Sequence, residues 1–303
     1  MSTHQHCPDW ATALLNGFSQ VFLQRHPLCG LLCMLAILLS APALLGGALL
    51  GGVAGLLTAQ RRGYAKADRQ AGLFSYNGVL LGLLLSLRFD WSVLLPPLII
   101  ACGGLSAILT QQWLKRARDQ YCLAAYTAPF VGLGWLLLGL AAPLPASADA
   151  PRAEPDALEL LLALIQGLGQ VMFLEHPLAG ALIALGLLLA DRRAAAWAAF
   201  GSAIGLGFAL LQDPAGAPQG LGGYNSALVA LALSQDQRRS WLALPGIAQA
   251  LLLAPGFTAL GLPPLTAPFI LACWLVRAAL RTLRQAAVDS TPCATGANPP
   301  RLR

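Results

Sequence analysis

One segment of this chain occurs twice, and the repetition constrains the fold more than any other feature. Gln20 and Gln170 each end an apolar, glycine-containing run, and each is followed six residues later by a His-Pro pair. Proline lacks an N–H and clashes with the preceding turn, so the pattern predicts two short helices that break near an amide side chain. We expect these half-helices at about 11–24 and 158–174.

Composition places the chain in a membrane. Hydrophobic residues make up 57% of the 303 residues and charged residues only 11%, whereas soluble domains carry about 25% charged residues. A chain with so few charged groups predicts an integral membrane protein surrounded by a lipid bilayer. Basic residues that lie in short clusters between apolar runs indicate loops and not a nucleic-acid-binding face.

The order of apolar runs predicts the topology. Five runs follow each half-helix, which gives about ten transmembrane helices plus two re-entrant half-helices, all α. Nearly all of the 19 lysines and arginines follow even-numbered spans. Basic loops mark the cytoplasmic side, so both termini are expected there. Five spans per half is an odd number, and the second half therefore enters the membrane upside down, as an inverted repeat.

These boundaries divide the chain into four parts. We predict a first repeat over 1–141, an extracytoplasmic linker over 142–157, a second repeat over 158–285 and a disordered cytoplasmic tail over 286–303. Glycines at four-residue spacing in the second span of each half predict close helix approach; they are Gly47, Gly51, Gly55, Gly201 and Gly205.

Inverted repeats place a shared site near the midplane, where helices break. The polar groups near the breaks are uncharged: Gln20, Gln170, Thr127 and Thr266, with two Tyr-Asn pairs. Amide, hydroxyl and carbonyl oxygens suit a small neutral solute and compensate an ion poorly for lost water. The same residues have structural alternatives, since glutamines and threonines also cap helix ends, the tyrosines also pack, and the asparagines more readily hold backbone.

Three doubled motifs carry a family resemblance. The first is the Gln-Val segment ending in Pro-Leu-x-Gly. The second is Gly-Leu-x-x-Tyr-Asn-x-x-Leu, at 72–80 and 220–228, and the third is the threonine box, at 123–130 and 262–269. Together the motifs span about residues 14 to 285. With all three doubled and in this order, the chain resembles a bacterial member of the urea transporter (urea channel) family.

The resemblance implies a passive urea channel, one pore per protomer of a homotrimer, in the inner membrane. It implies that Gln20 and Gln170 bind urea at opposite ends of a filter, and that Thr127 and Thr266 mark its narrow centre. Apolar slots would grip the flat solute, and they would consist of Leu23 with Tyr76 and Leu80, and of Phe173 with Tyr224 and Leu228.

The chain departs from the family pattern in three places. Ala124 replaces a proline of the first threonine box, and Leu23 replaces an aromatic residue. Arg25 and Glu175 stand where the family has uncharged polar residues, and their opposite charges at equivalent positions suggest an ion pair at the half-helix junctions.

Two other functions remain open from the residues alone. A channel for ammonia or another small amide would have a similar pore, and an ion-coupled secondary transporter could use Glu175 or Arg25. We find no nucleophile–base grouping, carboxylate pair, metal-ligand spacing or phosphate loop. The chain is therefore not expected to be an enzyme or to need a cofactor or metal.

Overall fold

The computed structural model describes residues 9–118, 123–139, 156–212 and 222–289, and those residues form helices and connecting turns without a strand. The first half contains α1 (Asp9–Gln20), α2 (Pro27–Ser40), α3 (Pro42–Arg61), α4 (Lys66–Gln70), α5 (Tyr76–Arg88), α6 (Leu95–Arg118) and α7 (Ala128–Leu138). The second half contains α8 (Ala157–Gln170), α9 (Pro177–Ala190), α10 (Arg192–Gln212), α11 (Tyr224–Ser234), a 3₁₀ turn (Gln237–Leu242), α12 (Ala243–Ala259) and α13 (Ala267–Asp289).

Four helices of the described part are long and apolar enough to cross a membrane: 42–61, 95–117, 192–212 and 237–259, the last of which joins the 3₁₀ turn to α12. Others are apolar but short. Helices α2 and α9 have 14 residues each, about 21 Å at 1.5 Å per residue, against a hydrocarbon core of ~30 Å. The described part of the chain is thus all-helical, with several helices suited to span a membrane, and the count of ten spans stays a prediction.

The half-helices end earlier than the prolines predict. Helix α1 stops at Gln20, where Leu23 N donates to Gln20 O (2.9 Å) and Gln24 N to Ser19 O (3.1 Å). Helix α8 stops at Gln170 with the same two bonds, from Phe173 N (3.1 Å) and Leu174 N (3.1 Å). A left-handed residue after the last turn terminates each helix, so the His-Pro pair has a different role.

That role is to begin the next helix. Pro27 and Pro177 occupy the first positions of α2 and α9, where a missing N–H costs nothing. His26 Nδ1 accepts from Cys29 N at 3.3 Å, and His176 Nδ1 accepts from Leu178 N at 3.1 Å. Each imidazole therefore caps a helix, which satisfies one of the N–H groups that have no partner in the first turn.

Glycines let helix backbones touch, as their spacing predicts. A Cβ on Gly51 would lie 2.1 Å from Gly78 O, and one on Gly201 would lie 2.5 Å from Ser226 O. These contacts pack α3 on α5 and α10 on α11. The prediction of close helix approach at these glycines is confirmed, and the interior α5 and α11 are held at short range within each half.

The predicted linker and the predicted tail lie mostly outside the described residues. Residues 142–155 of the predicted linker lie outside them, while Asp156 caps α8 by accepting from Glu159 N at 2.7 Å. Helix α13 continues to Asp289, past the predicted start of the tail at 286, and 290–303 lie outside the described residues.

Candidate solute filter

The chain adopts left-handed backbone at four non-glycine residues of the described part. Leu23 has φ 58° and Phe173 has φ 61°, and Tyr126 and Leu265 both have φ 44°. Such residues cost roughly 1–3 kcal/mol each and persist where the surrounding structure requires them. The first pair ends the half-helices, and the second precedes α7 and α13. The same strained geometry therefore occurs in both halves at the helix breaks.

Gln20 is the last residue of α1 and is nearly buried, with 9% of its surface exposed. Its Oε1 is buried and has no hydrogen-bond partner among the described residues. A buried acceptor without a partner costs about 1–3 kcal/mol, so this oxygen is available to a donor that enters from outside. Gln170, the last residue of α8, is half-buried.

The two box threonines meet in the interior. Thr127 Oγ1 and Thr266 Oγ1 lie 2.7 Å apart, and the residues are 139 positions apart in sequence. Both are buried, at 4% and 3% exposure. Thr127 makes no side-chain cap to α7, so the alternative that this hydroxyl caps its own helix is wrong; it bonds across the two halves instead.

Tyrosine hydroxyls hold the two left-handed box residues. Tyr76 Oη donates to Tyr126 O, and Tyr224 Oη donates to Leu265 O at 2.8 Å. Each tyrosine is the first residue of an interior helix, α5 or α11. These bonds account for the hydroxyls, and contact between the ring faces and solute stays a prediction.

The neighbouring asparagines also act on backbone. Asn77 Oδ1 accepts from Phe130 N and Asn225 Oδ1 accepts from Phe269 N, both at 3.3 Å. The prediction that these asparagines hold backbone is confirmed. Together with the tyrosine bonds, they tie α5 to the first turn of α7 and α11 to the first turn of α13.

The remaining slot candidates lie in or against one apolar core. Leu80 and Leu228 are buried, at 0% and 1% exposure, and Leu23 and Phe173 pack against the same core. The Phe173 ring lies 6.2 Å from the ring of Phe130 between centroids. Phe130, which stands in the first threonine box, is not among the predicted slot residues, and the slots themselves stay a prediction.

A cavity of about 260 Å³ lies between the end of α11, the middle of α13 and the 3₁₀ turn. Its lining includes Asp236, Arg239, Arg277 and Arg281. The Arg277 guanidinium carbon lies 5.8 Å from the centroid of the Tyr126 ring, within the range of a cation–π contact. This cavity therefore adjoins the residue that precedes Thr127.

Arg25 and Glu175 do not form the ion pair suggested by their charges. Both are exposed, and the salt bridge found in the described part of the chain joins Lys66 Nζ to Asp9 Oδ2 at 2.7 Å. The Lys66 hydrogen bond lowers the pKa of that Asp9 carboxyl. Equivalence in a repeat does not bring two residues together unless they lie where the halves meet, which explains why Thr127 and Thr266 meet and this pair does not.

Metal-ligating side chains form no cluster within the described residues. The buried polar side chains of the same residues are all uncharged, and they are serine, threonine, asparagine and glutamine. Membrane-embedded charges are typical of ion and proton pathways. The fully buried polar residues thus offer hydrogen-bonding groups without charge, and the half-buried Arg277 lies beside them at the cavity.

Known proteins are similar to this sequence over most of its length. Urea transporter 1 of Ovis aries is 27% identical over 299 residues, covering 88% of this chain and 75% of that protein. Urea transporter 1 of Rattus norvegicus is 29% identical over 248 residues, covering 74% of this chain and 62% of that protein. A family model described as urea transporter matches residues 11–281. This chain therefore belongs to the urea transporter family, as its three doubled motifs predict.

Proposed function

We propose that this protein carries urea passively across a membrane through a narrow filter between its two halves. The urea transporter family is a family of transport proteins, so the chain is not an enzyme. The observation that carries the neutral-solute assignment is the uncharged set of buried polar side chains in the described interior. An ion that enters such an interior would lose its water without an opposite charge to replace it.

In this proposal the two halves are inverted repeats, each with one re-entrant half-helix and five spans. Gln20 and Gln170 bind urea at the two ends of the filter. Thr127 and Thr266 form its narrow centre, where their mutual hydrogen bond opens to a passing solute. Each hydroxyl has one donor and two acceptor lone pairs, so a urea molecule between the two threonines can bond to both hydroxyls and leave neither unpaired.

The slots then select a flat molecule. Leu23, Tyr76 and Leu80 form one slot, and Phe173, Tyr224 and Leu228 form the other. The tyrosine bonds to Tyr126 O and Leu265 O support this role, because they fix the rings beside the central threonines. A planar solute passes between apolar faces while its N–H groups point to oxygens along the edge.

The cavity beside Arg277 would form the cytoplasmic vestibule. Its arginines agree with the positive-inside rule, which also supports cytoplasmic termini. We further propose that the protein is a homotrimer of the bacterial inner membrane. Exposed leucines on α2 and α9, such as Leu39 and Leu189, would then face lipid or neighbouring protomers.

Purified protein reconstituted into liposomes tests the proposal. Stopped-flow light scattering should show rapid shrink–swell with urea, a slower response with methylated ureas and no dependence on a sodium or proton gradient. Ammonia, formamide and acetamide fluxes separate urea from the small-amide alternative. Flux that follows an imposed ion gradient would establish the coupled-transporter alternative instead.

A further inference from the structure

Two tryptophans cross between the halves in a reciprocal exchange. Trp135 Nε1 on α7 donates to Pro263 O of the second threonine box at 2.8 Å. Trp274 Nε1 on α13 donates to Ala124 O of the first box at 2.8 Å. The offset of 139 residues that relates Thr127 to Thr266 also relates Trp135 to Trp274. Each half therefore holds the other half's box by an equivalent indole bond.

Each of these indoles is supported by a second aromatic ring. Trp274 stacks on Trp113 of α6, with centroids 5.4 Å apart and planes 18° apart. Trp135 packs on Phe257 of α12, with centroids 5.6 Å apart. Aromatic packing restricts the ring, so each N–H stays directed at its carbonyl.

The two boxes differ in how their extended segment is stiffened. The second contains Pro263 and Pro264, which fix φ, whereas the first has Ala124 and Ala125. The first box has an additional bond in their place, from Trp113 Nε1 to Leu123 O at 2.7 Å. Two stacked indoles thus hold two consecutive carbonyls of the segment that lacks prolines.

Despite this difference the backbones agree. Ala128 N donates to Ala125 O at 3.0 Å, and Ala267 N donates to Pro264 O at 2.9 Å. The residue after each acceptor, Tyr126 or Leu265, has φ 44°. Contacts other than proline rings therefore hold the first box in the conformation that the prolines favour in the second box.

We propose that Trp113 and Trp274 are positioning residues for the solute filter. Both fix carbonyls of the first box and so hold Thr127 opposite Thr266, and the Trp113 bond, which has no equivalent at the second box among the described residues, takes the place of the missing prolines. This inference rests on the proposed function for its effect on urea flux, but its effect on the backbone is independent of that function. A small displacement of a positioned group can reduce a rate by up to about a hundredfold, so a loosened first box should lose selectivity before it loses the fold.

Trp113→Phe is the test variant, because it keeps an aromatic ring while it removes the N–H donor together with part of the indole's bulk. We expect the flux ratio of urea to N-methylurea to fall about threefold or more, and hydrogen–deuterium exchange in the 123–130 peptide to rise. Trp91→Phe is the matched control, since Trp91 is an exposed tryptophan at 50% exposure. It should leave both quantities unchanged.

Rescue separates positioning from general packing. Neither Ala124 N nor Ala125 N donates to a described backbone oxygen, so Ala124→Pro with Ala125→Pro removes no bond found in the structure. We expect this pair of changes to be tolerated in the wild-type chain. When added to Trp113→Phe, it should restore the flux ratio and the slow exchange of the amides at 126–128, which are compared because the new prolines have no N–H of their own.

The inference would be overturned if Trp113→Phe left exchange at 123–130 unchanged. It would also be overturned if the variant that adds both prolines to Trp113→Phe folded but restored neither the flux ratio nor the slow exchange. A wild-type protein that passes no urea would refute the proposed function instead. The exchange measurement would still decide the positioning role in that case.

Discussion

The hydroxyl oxygens of Thr127 and Thr266 lie 2.7 Å apart although 139 residues separate them in sequence. Each threonine directly precedes the helix that closes its half, α7 or α13. Residues at equivalent positions of two related halves meet only where those halves share a surface. The bond therefore locates the boundary between the halves in a buried and uncharged environment.

Replacing Thr266 by valine should reduce urea flux about tenfold, which corresponds to about 1.4 kcal/mol. Valine has a similar shape but leaves Thr127 without its described partner and removes a hydroxyl that urea needs at the centre. Thr258→Val is the matched control, because Thr258 Oγ1 bonds locally to Pro255 O in an exposed part of α12. Equal urea flux in both variants would argue against a central role for Thr266.

Gln20→Leu should lower urea flux strongly without lowering the melting temperature. The Oε1 atom has no partner among the described residues, and removing an unpaired buried acceptor relieves a penalty of about 1–3 kcal/mol. Most substitutions of a buried residue have the opposite effect on stability. Gln60→Leu, at an exposed position of α3, is the control for the same change of side chain. Thermal unfolding in detergent measures the melting temperature. A less stable Gln20→Leu protein would indicate a structural role.

Gly180→Ala should prevent folding or destabilise the protein by more than about 3 kcal/mol. An added Cβ would lie 2.0 Å from Ile165 O, a backbone atom of the half-helix α8. Gly132→Ala on α7 is the control, because its Cβ would meet nothing within 4 Å. Alanine in a helix is favoured over glycine by up to about 1 kcal/mol, so the control should be neutral or stabilising. Comparable yields and melting temperatures of the two variants would contradict this packing.

Leu23→Phe should tighten selectivity. Leu23 and Phe173 are equivalent residues and share left-handed backbone at φ 58° and 61°. Because Phe173 already has a phenyl ring on this backbone, position 23 can also accommodate one. We expect the flux ratio of urea to N,N′-dimethylurea to rise about threefold, or about 0.6 kcal/mol. Leu39→Phe, at an exposed leucine of α2, controls for the added ring. A ratio that changes equally in both variants would separate Leu23 from the slot.

Much of the arrangement around the breaks could be predicted from local pattern. The doubled Gln, Tyr-Asn and Thr motifs identified the family and the residues near the helix breaks, because their spacing repeats along the chain. The ends of α1 and α8 were mispredicted, since the His-Pro pairs are conspicuous while a left-handed leucine or phenylalanine has no sequence signature.

Contacts between the halves were harder to predict. The opposite charges of Arg25 and Glu175 suggested a pair, but charge complementarity does not indicate distance, and both side chains are exposed. Trp135 and Trp274 were missed although they stand at the same offset as the threonines. Their bonds join different halves, and such long-range pairing follows from the packing of α7 and α13 and not from any local pattern.

Stopped-flow light scattering of proteoliposomes under an imposed urea gradient decides whether this protein is a passive urea channel. We predict that wild-type protein accelerates urea equilibration well above protein-free liposomes, equally with and without a sodium or proton gradient. We also predict that Thr266→Val removes most of this flux while Thr258→Val retains it. Urea equilibration no faster than in protein-free liposomes, or a rate that follows the ion gradient, would contradict these predictions.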